Sequence, residues 1–147
     1  MKISTSWAGG MAFTAGDGER NVAMDAAPPF GAGAALSPKQ LCLAAIGGCT
    51  AMDVVSWLKK HKAAAASVRV DCDAPVKSGY PAVFEKVTLD FFVEGALDEK
   101  LVTEAVVLSQ TKYCGVSAMI ERSCPIFYRV HLNGSLVHEA RADFSGA

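Results

Sequence analysis

The sequence predicts an α+β fold. Three observations carry that expectation. Short strand-like segments separated by glycine turns open the chain, one long apolar helix follows, and a second set of strands with a helix pair between them completes it. Strands and helices come in runs and do not alternate strictly, which is the α+β order and not a parallel βαβ series.

Ile3–Ala8, Met11–Thr14 and Val22–Asp25 read as strands, joined by tight turns at Gly9-Gly10 and Gly16-Asp17-Gly18. Ala26 to Ala35 holds two prolines and two glycines and reads as a loop, with the character of loops that border a site. Ser37-Pro38-Lys39-Gln40 is a helix start. Ser37 suits the N-cap, Pro38 the first helical position, and Gln40 completes a capping box. The helix is expected to run to Lys60. Its body is apolar on nearly every face, which places it inside a domain or between subunits. Gly47-Gly48 within it costs about 1 kcal/mol per glycine relative to alanine, so a close approach by another backbone is expected there. Lys59-Lys60-His61-Lys62 suits the negative end of the helix dipole.

Ser67–Ala74 alternates, with Val68, Val70 and Cys72 on one side. Phe84–Glu94 alternates as well, with Val87, Leu89, Phe91 and Val93 on one face. The turn Lys77-Ser78-Gly79-Tyr80-Pro81 makes the two an antiparallel hairpin. Asp98 to about Gln110 reads as a second helix, and Tyr113-Cys114-Gly115 interrupts it. Val116–Arg122 reads as a third helix that turns Val116, Met119 and Ile120 inward, and Pro125 stops it. Ile126–Leu132 is a last strand, Asn133-Gly134 a turn, and Leu136–Phe144 a polar tail without an assigned structure.

The chain has 147 residues, 51% hydrophobic and 20% charged, which excludes a disordered tail and fits one compact domain over residues 1–147. Fourteen basic against fifteen acidic residues give a net charge of −1, which argues against a dedicated nucleic-acid binder. No secretory signal is expected from Met1–Gly10. Leu41–Ala51, broken by Gly47, Gly48 and Cys49, is the richest apolar run and reads as too short for a membrane span. A cytoplasmic protein is expected. Its five cysteines, at 42, 49, 72, 114 and 124, are expected to be reduced there.

The cysteines are the candidates for chemistry. Cys42 and Cys49 are seven residues apart and share a helical face. Asp53 stands one turn beyond Cys49, where a carboxylate disfavours a thiolate unless a cation intervenes. Cys114 opens a short helix, and the positive end of that helix favours thiolate. Each of these two thiols also has a packing reading, because free cysteine is among the most buried residue types. Cys72 and Cys124 read as structural. A metal site is not expected: no C-x-x-C or H-x-x-x-H occurs, and His61, His131 and His138 lie on separate segments. No cofactor is expected either. Gly31-Ala32-Gly33 lacks the third glycine of a dinucleotide loop, and no G-x-S-x-G is present.

Ser37-Pro38-Lys39-Gln40-Leu41 through Gly47-Gly48-Cys49-Thr50-Ala51-Met52-Asp53-Val54-Val55-Ser56 resembles the long-helix motif of the OsmC/Ohr family, and Lys112-Tyr113-Cys114-Gly115-Val116-Ser117 resembles its second motif. The first string is closest to the YhfA-like branch. The resemblance extends over about Trp7 to Val130. It implies antiparallel sheets packed around a long central helix, an intertwined homodimer with that helix at the subunit interface, and an active site there. It also implies thiol-dependent reduction of organic hydroperoxides. Cys49 matches the peroxidatic cysteine and Cys114 the resolving one. A dithiol, lipoyl-type in the hydroperoxide-resistance branch, is the implied reductant. The loop at Pro28-Pro29-Phe30 would exclude water and admit an apolar peroxide. One departure stands out. Peroxidase members usually carry a glutamate where this chain has Lys39, and that glutamate pairs with an activating arginine, for which Arg20 is the nearest match. Two further readings therefore accompany the peroxidase. One is an OsmC-like protein that binds a small apolar or thiol-reactive ligand without turnover, and the other is a packing role for both cysteines.

Overall fold

The computed structural model describes residues 1–146. Their contacts fall into two compact units, Met1–Cys42 and Leu43–Ala147.

The first unit is a three-stranded antiparallel sheet in the order β1 (Ser4–Gly9), β2 (Ala12–Gly16), β3 (Asn21–Met24). The turn between β1 and β2 runs through Gly9 and Gly10, both at positive φ, where residues with a side chain are strained. The loop after β3 is organised by one side chain. Asp25 is buried, and its carboxylate accepts hydrogen bonds from the backbone N–H groups of Ala26, Ala32 and Ala34. The capping box is present as expected: Gln40 N–H donates to Ser37 Oγ, and Ser37 N–H donates to Gln40 Oε1.

Helix α1 spans Pro38–Lys60, the full extent the sequence predicts. The second unit holds the body of this helix and a four-stranded sheet, β4 (Ser67–Asp73), β5 (Val87–Glu94), β6 (Ile126–Leu132) and β7 (Ser135–Arg141), in that spatial order. The alternation in β5 sends Val87, Leu89, Phe91 and Val93 to one face, and all are buried. Each such side chain contributes about 1.5–3 kcal/mol by leaving water. They meet Ile46, Val54 and Leu58 from α1 and Val102, Ala105 and Val106 from α2 (Glu99–Leu108) in one core, with Ile126, Tyr128 and Val130 of β6. By length and composition α1 is apolar enough to cross a membrane, contrary to the expectation for its Leu41–Ala51 stretch. In the fold its buried face belongs instead to this core.

Three details depart from the sequence reading. The β4–β5 hairpin is antiparallel as expected, but β5 and β6 pair in parallel, Val87 opposite Ile126 and Phe91 opposite Val130. Parallel strands need a long crossover, and α2, a π-helical turn at Ser109–Tyr113 and α3 (Gly115–Glu121) supply it. The polar tail is strand β7, antiparallel to β6. Its exposed edge position explains why Ser135–Arg141 shows no apolar alternation. In α3, Met119 is exposed and Ser117 takes the buried position.

Candidate active site

Helix α1 turns Ile46, Thr50, Val54 and Leu58 into the core, at the spacing of one helical face. Gly47 is needed on the flank of that face. A Cβ there would stand 2.9 Å from Cys72 Sγ on β4 and 3.9 Å from Val70 O, so the close approach is made by a thiol side chain and not by the backbone that the sequence leads one to expect. Cys49 and Asp53 lie beside this face, both half-buried, one turn apart.

The second half of the site comes from the break between α2 and α3. Ser109 ends α2 and starts the π-helical turn, a feature frequent at functional sites. Cys114 N–H donates to Ser109 O at 3.0 Å and closes that turn. Cys114 is then the N-cap of α3, its sulfur accepting from Ser117 N–H at 3.3 Å. The crossover thus carries Ser109 and Cys114 to the flank of α1. Cys49 Sγ, Cys114 Sγ and a carboxylate oxygen of Asp53 all lie within 4.8 Å of one another. Ser109 Oγ donates to Asp53 Oδ2 at 2.9 Å, and Gln110 Nε2 donates to Ser109 Oγ at 3.3 Å.

The electrostatics differ from the sequence expectation at Cys114. Burial pushes its thiol up to about 11, and the neighbouring Cys49 adds to the rise against an opposing pull from Ser117. Helix α3 has only seven residues, and its dipole does not outweigh complete burial of the sulfur. Burial also raises the Asp53 carboxyl, with the Ser109 hydrogen bond opposing. Within the described residues of the second unit no ion pair reaches Asp53.

The structure therefore brings two of the expected site residues, Cys49 and Cys114, together. Arg20 belongs to the first unit, where its exposed guanidinium is paired with Asp17 at 2.8 Å. Lys39 is exposed at the first turn of α1. Cys72 and Cys124 pack against the core, as structural cysteines do. Ser109 and Gln110 were not anticipated. The signal for them is the polar run Ser109-Gln110-Thr111 directly after Val106-Val107-Leu108, where Ser109 and Gln110 are fully buried.

The family model for OsmC-like protein matches residues 31–129. The chain belongs to the OsmC-like family. Protein YhfA of Escherichia coli K12 is 37% identical over 91 residues, which is 61% of this chain and 68% of YhfA. The fold also matches solved structures at lower identity. A hypothetical protein from Aquifex aeolicus superposes with a TM-score of 0.81 at 22% identity, covering 90% of this chain and 95% of the other. The organic hydroperoxide resistance protein OhrB of Bacillus subtilis superposes with a TM-score of 0.61 at 19% identity, covering 90% and 96%. Membership in this family and the cysteine pair together make the site of this OsmC-like chain a candidate redox centre.

Proposed function

We propose that this chain is a cytoplasmic, homodimeric thiol peroxidase that reduces organic hydroperoxides as part of an oxidative stress response, and that residues 1–147 act as one OsmC-like domain. The observation that carries the proposal is the approach of the Cys49 and Cys114 sulfurs to within 4.8 Å in a member of this family. A disulfide between them requires the sulfurs to close from that separation to about 2.05 Å.

The steps follow from the two environments. Cys49, half-buried, is the sulfur that peroxide can reach. Its thiolate attacks one peroxide oxygen, the O–O bond breaks, and the alcohol leaves with a proton, so that Cys49 becomes a sulfenic acid. Cys114 is fully buried, and with its thiol pushed up to about 11 it holds its proton at neutral pH. That keeps it from competing with Cys49 for peroxide, and it resolves through its minor thiolate form. Its sulfur attacks the Cys49 sulfur, its proton joins the departing hydroxide, and water and a disulfide result. A dithiol, of lipoyl type or similar, returns both cysteines to thiols by exchange. In this reading the role of activating arginine falls by family resemblance to Arg20, whose guanidinium is here paired with Asp17.

A second reading is favoured by Lys39 at the position of the family glutamate and by a half-buried carboxylate, Asp53, that no ion pair reaches among the described residues of the second unit. There the cysteines contact a small apolar or thiol-reactive ligand without turnover. Consumption of cumene hydroperoxide and hydrogen peroxide by wild type, Cys49→Ser and Cys114→Ser, with dihydrolipoamide as reductant, separates the two. Fast turnover that vanishes in Cys49→Ser establishes the peroxidase. A wild-type rate no higher than that of free thiol establishes the second reading.

A further inference from the structure

We propose that Cys49, Asp53 and Cys114 form a binding site for a thiophilic divalent cation, Zn²⁺ in the first instance. The sequence does not announce such a site, because its donors come from two positions on α1 and one at the start of α3. The fold assembles them: two sulfurs and one carboxylate oxygen lie within 4.8 Å of one another. A tetrahedral zinc with bonds of about 2.0–2.3 Å places its donors roughly 3.4–3.8 Å apart, so each donor moves by no more than about an ångström to bind.

Four features favour a metal over mere proximity. Cys49 and Asp53 are one helical turn apart, the spacing at which a helix offers two ligands to one ion. Asp53 is held by Ser109, which donates to Oδ2 and leaves Oδ1 for a ligand bond. Cys114 Sγ accepts the Ser117 N–H, the kind of outer contact that orients a metal ligand. Finally, the site gathers two thiols and a carboxylate with no ion-pair partner from the described residues of its unit. A divalent cation supplies the opposite charge and deprotonates coordinating thiols outright. Two soft sulfurs exclude Mg²⁺ and Ca²⁺ as preferred ions and select zinc or its softer neighbours. Three protein ligands leave the fourth position for water or a small molecule, the pattern of an open zinc site.

The inference does not depend on the peroxidase reading, since it needs only the three donors. If both hold, metal and peroxide compete for the same sulfurs, and the ion protects the thiols from oxidation.

The test is a Co²⁺ titration of the reduced, chelator-treated full chain under anaerobic conditions. A thiolate-to-cobalt charge-transfer band and intense tetrahedral d–d bands are expected at one ion per chain, and stoichiometric Zn²⁺ should erase them. Cys49→Ser and Cys114→Ser should each remove the charge-transfer intensity of one thiolate and weaken binding. Asp53→Asn should weaken binding by at least tenfold while keeping both thiolate contributions. Ser109→Ala should weaken it by about ten- to a hundredfold as an outer-contact loss. Calorimetry of Zn²⁺ binding in buffers of different ionisation enthalpy should report the release of about two protons per ion, from the two thiols. Cobalt that stays octahedral in the folded wild type overturns the site. So does binding that survives in Cys49→Ser, Cys114→Ser and Asp53→Asn alike. Should a serine variant fail to fold, Asp53→Asn and Ser109→Ala decide alone, and unchanged affinity in both overturns the proposal. Peroxide turnover measured on the metal-free chain tests the peroxidase reading separately.

Discussion

Ser109 Oγ donates a 2.9 Å hydrogen bond to Asp53 Oδ2 across 56 positions of sequence. It ties the π-helical turn to α1 at the turn of helix that also carries Cys49. The bond stabilises the ionised carboxylate, yet burial wins and Asp53 stays raised above its ordinary value of 3.8. A carboxyl raised in the folded state binds its proton more tightly there than in the unfolded chain. Stability from this group is therefore present at low pH and falls as pH climbs from about the unfolded value through the raised one. Asp53→Asn keeps an oxygen for Ser109 and removes the charge. It should raise the thermal midpoint at pH 7, and the gain should close as pH falls below about 4. Melting curves of both chains between pH 3 and pH 8 check this, and a variant less stable at pH 7 would show that the charge is compensated.

The Cys114 thiol, pushed up to about 11, makes the resolving step pH-dependent in the proposed cycle. Deprotonated sulfur is the attacking species, so disulfide closure after one equivalent of peroxide should speed up about tenfold per pH unit between pH 7 and pH 9. Rapid-quench alkylation and mass spectrometry follow it. In Cys114→Ser closure is lost, and a dimedone adduct should accumulate on Cys49 instead. A closure rate flat with pH would mean that another group delivers or removes the proton.

Gly47 faces Cys72 Sγ across 2.9 Å of the space a Cβ would take. Gly47→Ala gains about 1 kcal/mol of helix propensity and meets an overpacking cost of about 1–3 kcal/mol. The net effect should be a loss of stability. In a Cys72→Ala background the obstructing sulfur is gone, and the same Gly47→Ala change should become stabilising by up to about 1 kcal/mol. A double-mutant cycle by urea denaturation measures the coupling, expected at about 1–2 kcal/mol. Zero coupling would place the need for glycine elsewhere.

Most of this fold is legible in local pattern. The capping box at Ser37 and Gln40 sets the start of α1, and the alternation in Val87–Val93 sets the buried face of β5. What pattern does not carry is pairing partner and backbone detail. The parallel pairing of β5 and β6 is decided by where α2 and α3 pack, which no strand sequence states. Strand β7 borrows its order from β6 and has too few buried side chains to show a period. At the site, Cys49 and Cys114 are visible from their motifs. Ser109 is not, because its role depends on a π-helical turn that aims a serine back at α1. The rise in the Cys114 thiol is hidden for the same reason: burial is a property of the assembled core, whereas a helix start can be read from residues.

Gly48 sits beside Gly47 but carries a different explanation. A Cβ at Gly48 would meet nothing within 4 Å, so no contact among the described residues requires glycine there. It lies on an exposed stripe of α1 with Ala44, Ala45 and Met52, the last 74% exposed. Small residues with one flexible apolar side chain suit the close approach of a second helix, and the proposed homodimer supplies one. Gly48→Ala should then weaken association while raising helix propensity by about 1 kcal/mol within each chain. Met52→Glu should act more strongly, since it places a charge in an apolar interface. Sedimentation equilibrium should give twice the chain mass for wild type and about 15.4 kDa for Met52→Glu at micromolar concentration. A monomeric wild type removes the dimer proposal. A dimer that tolerates both substitutions moves the interface away from this face of α1.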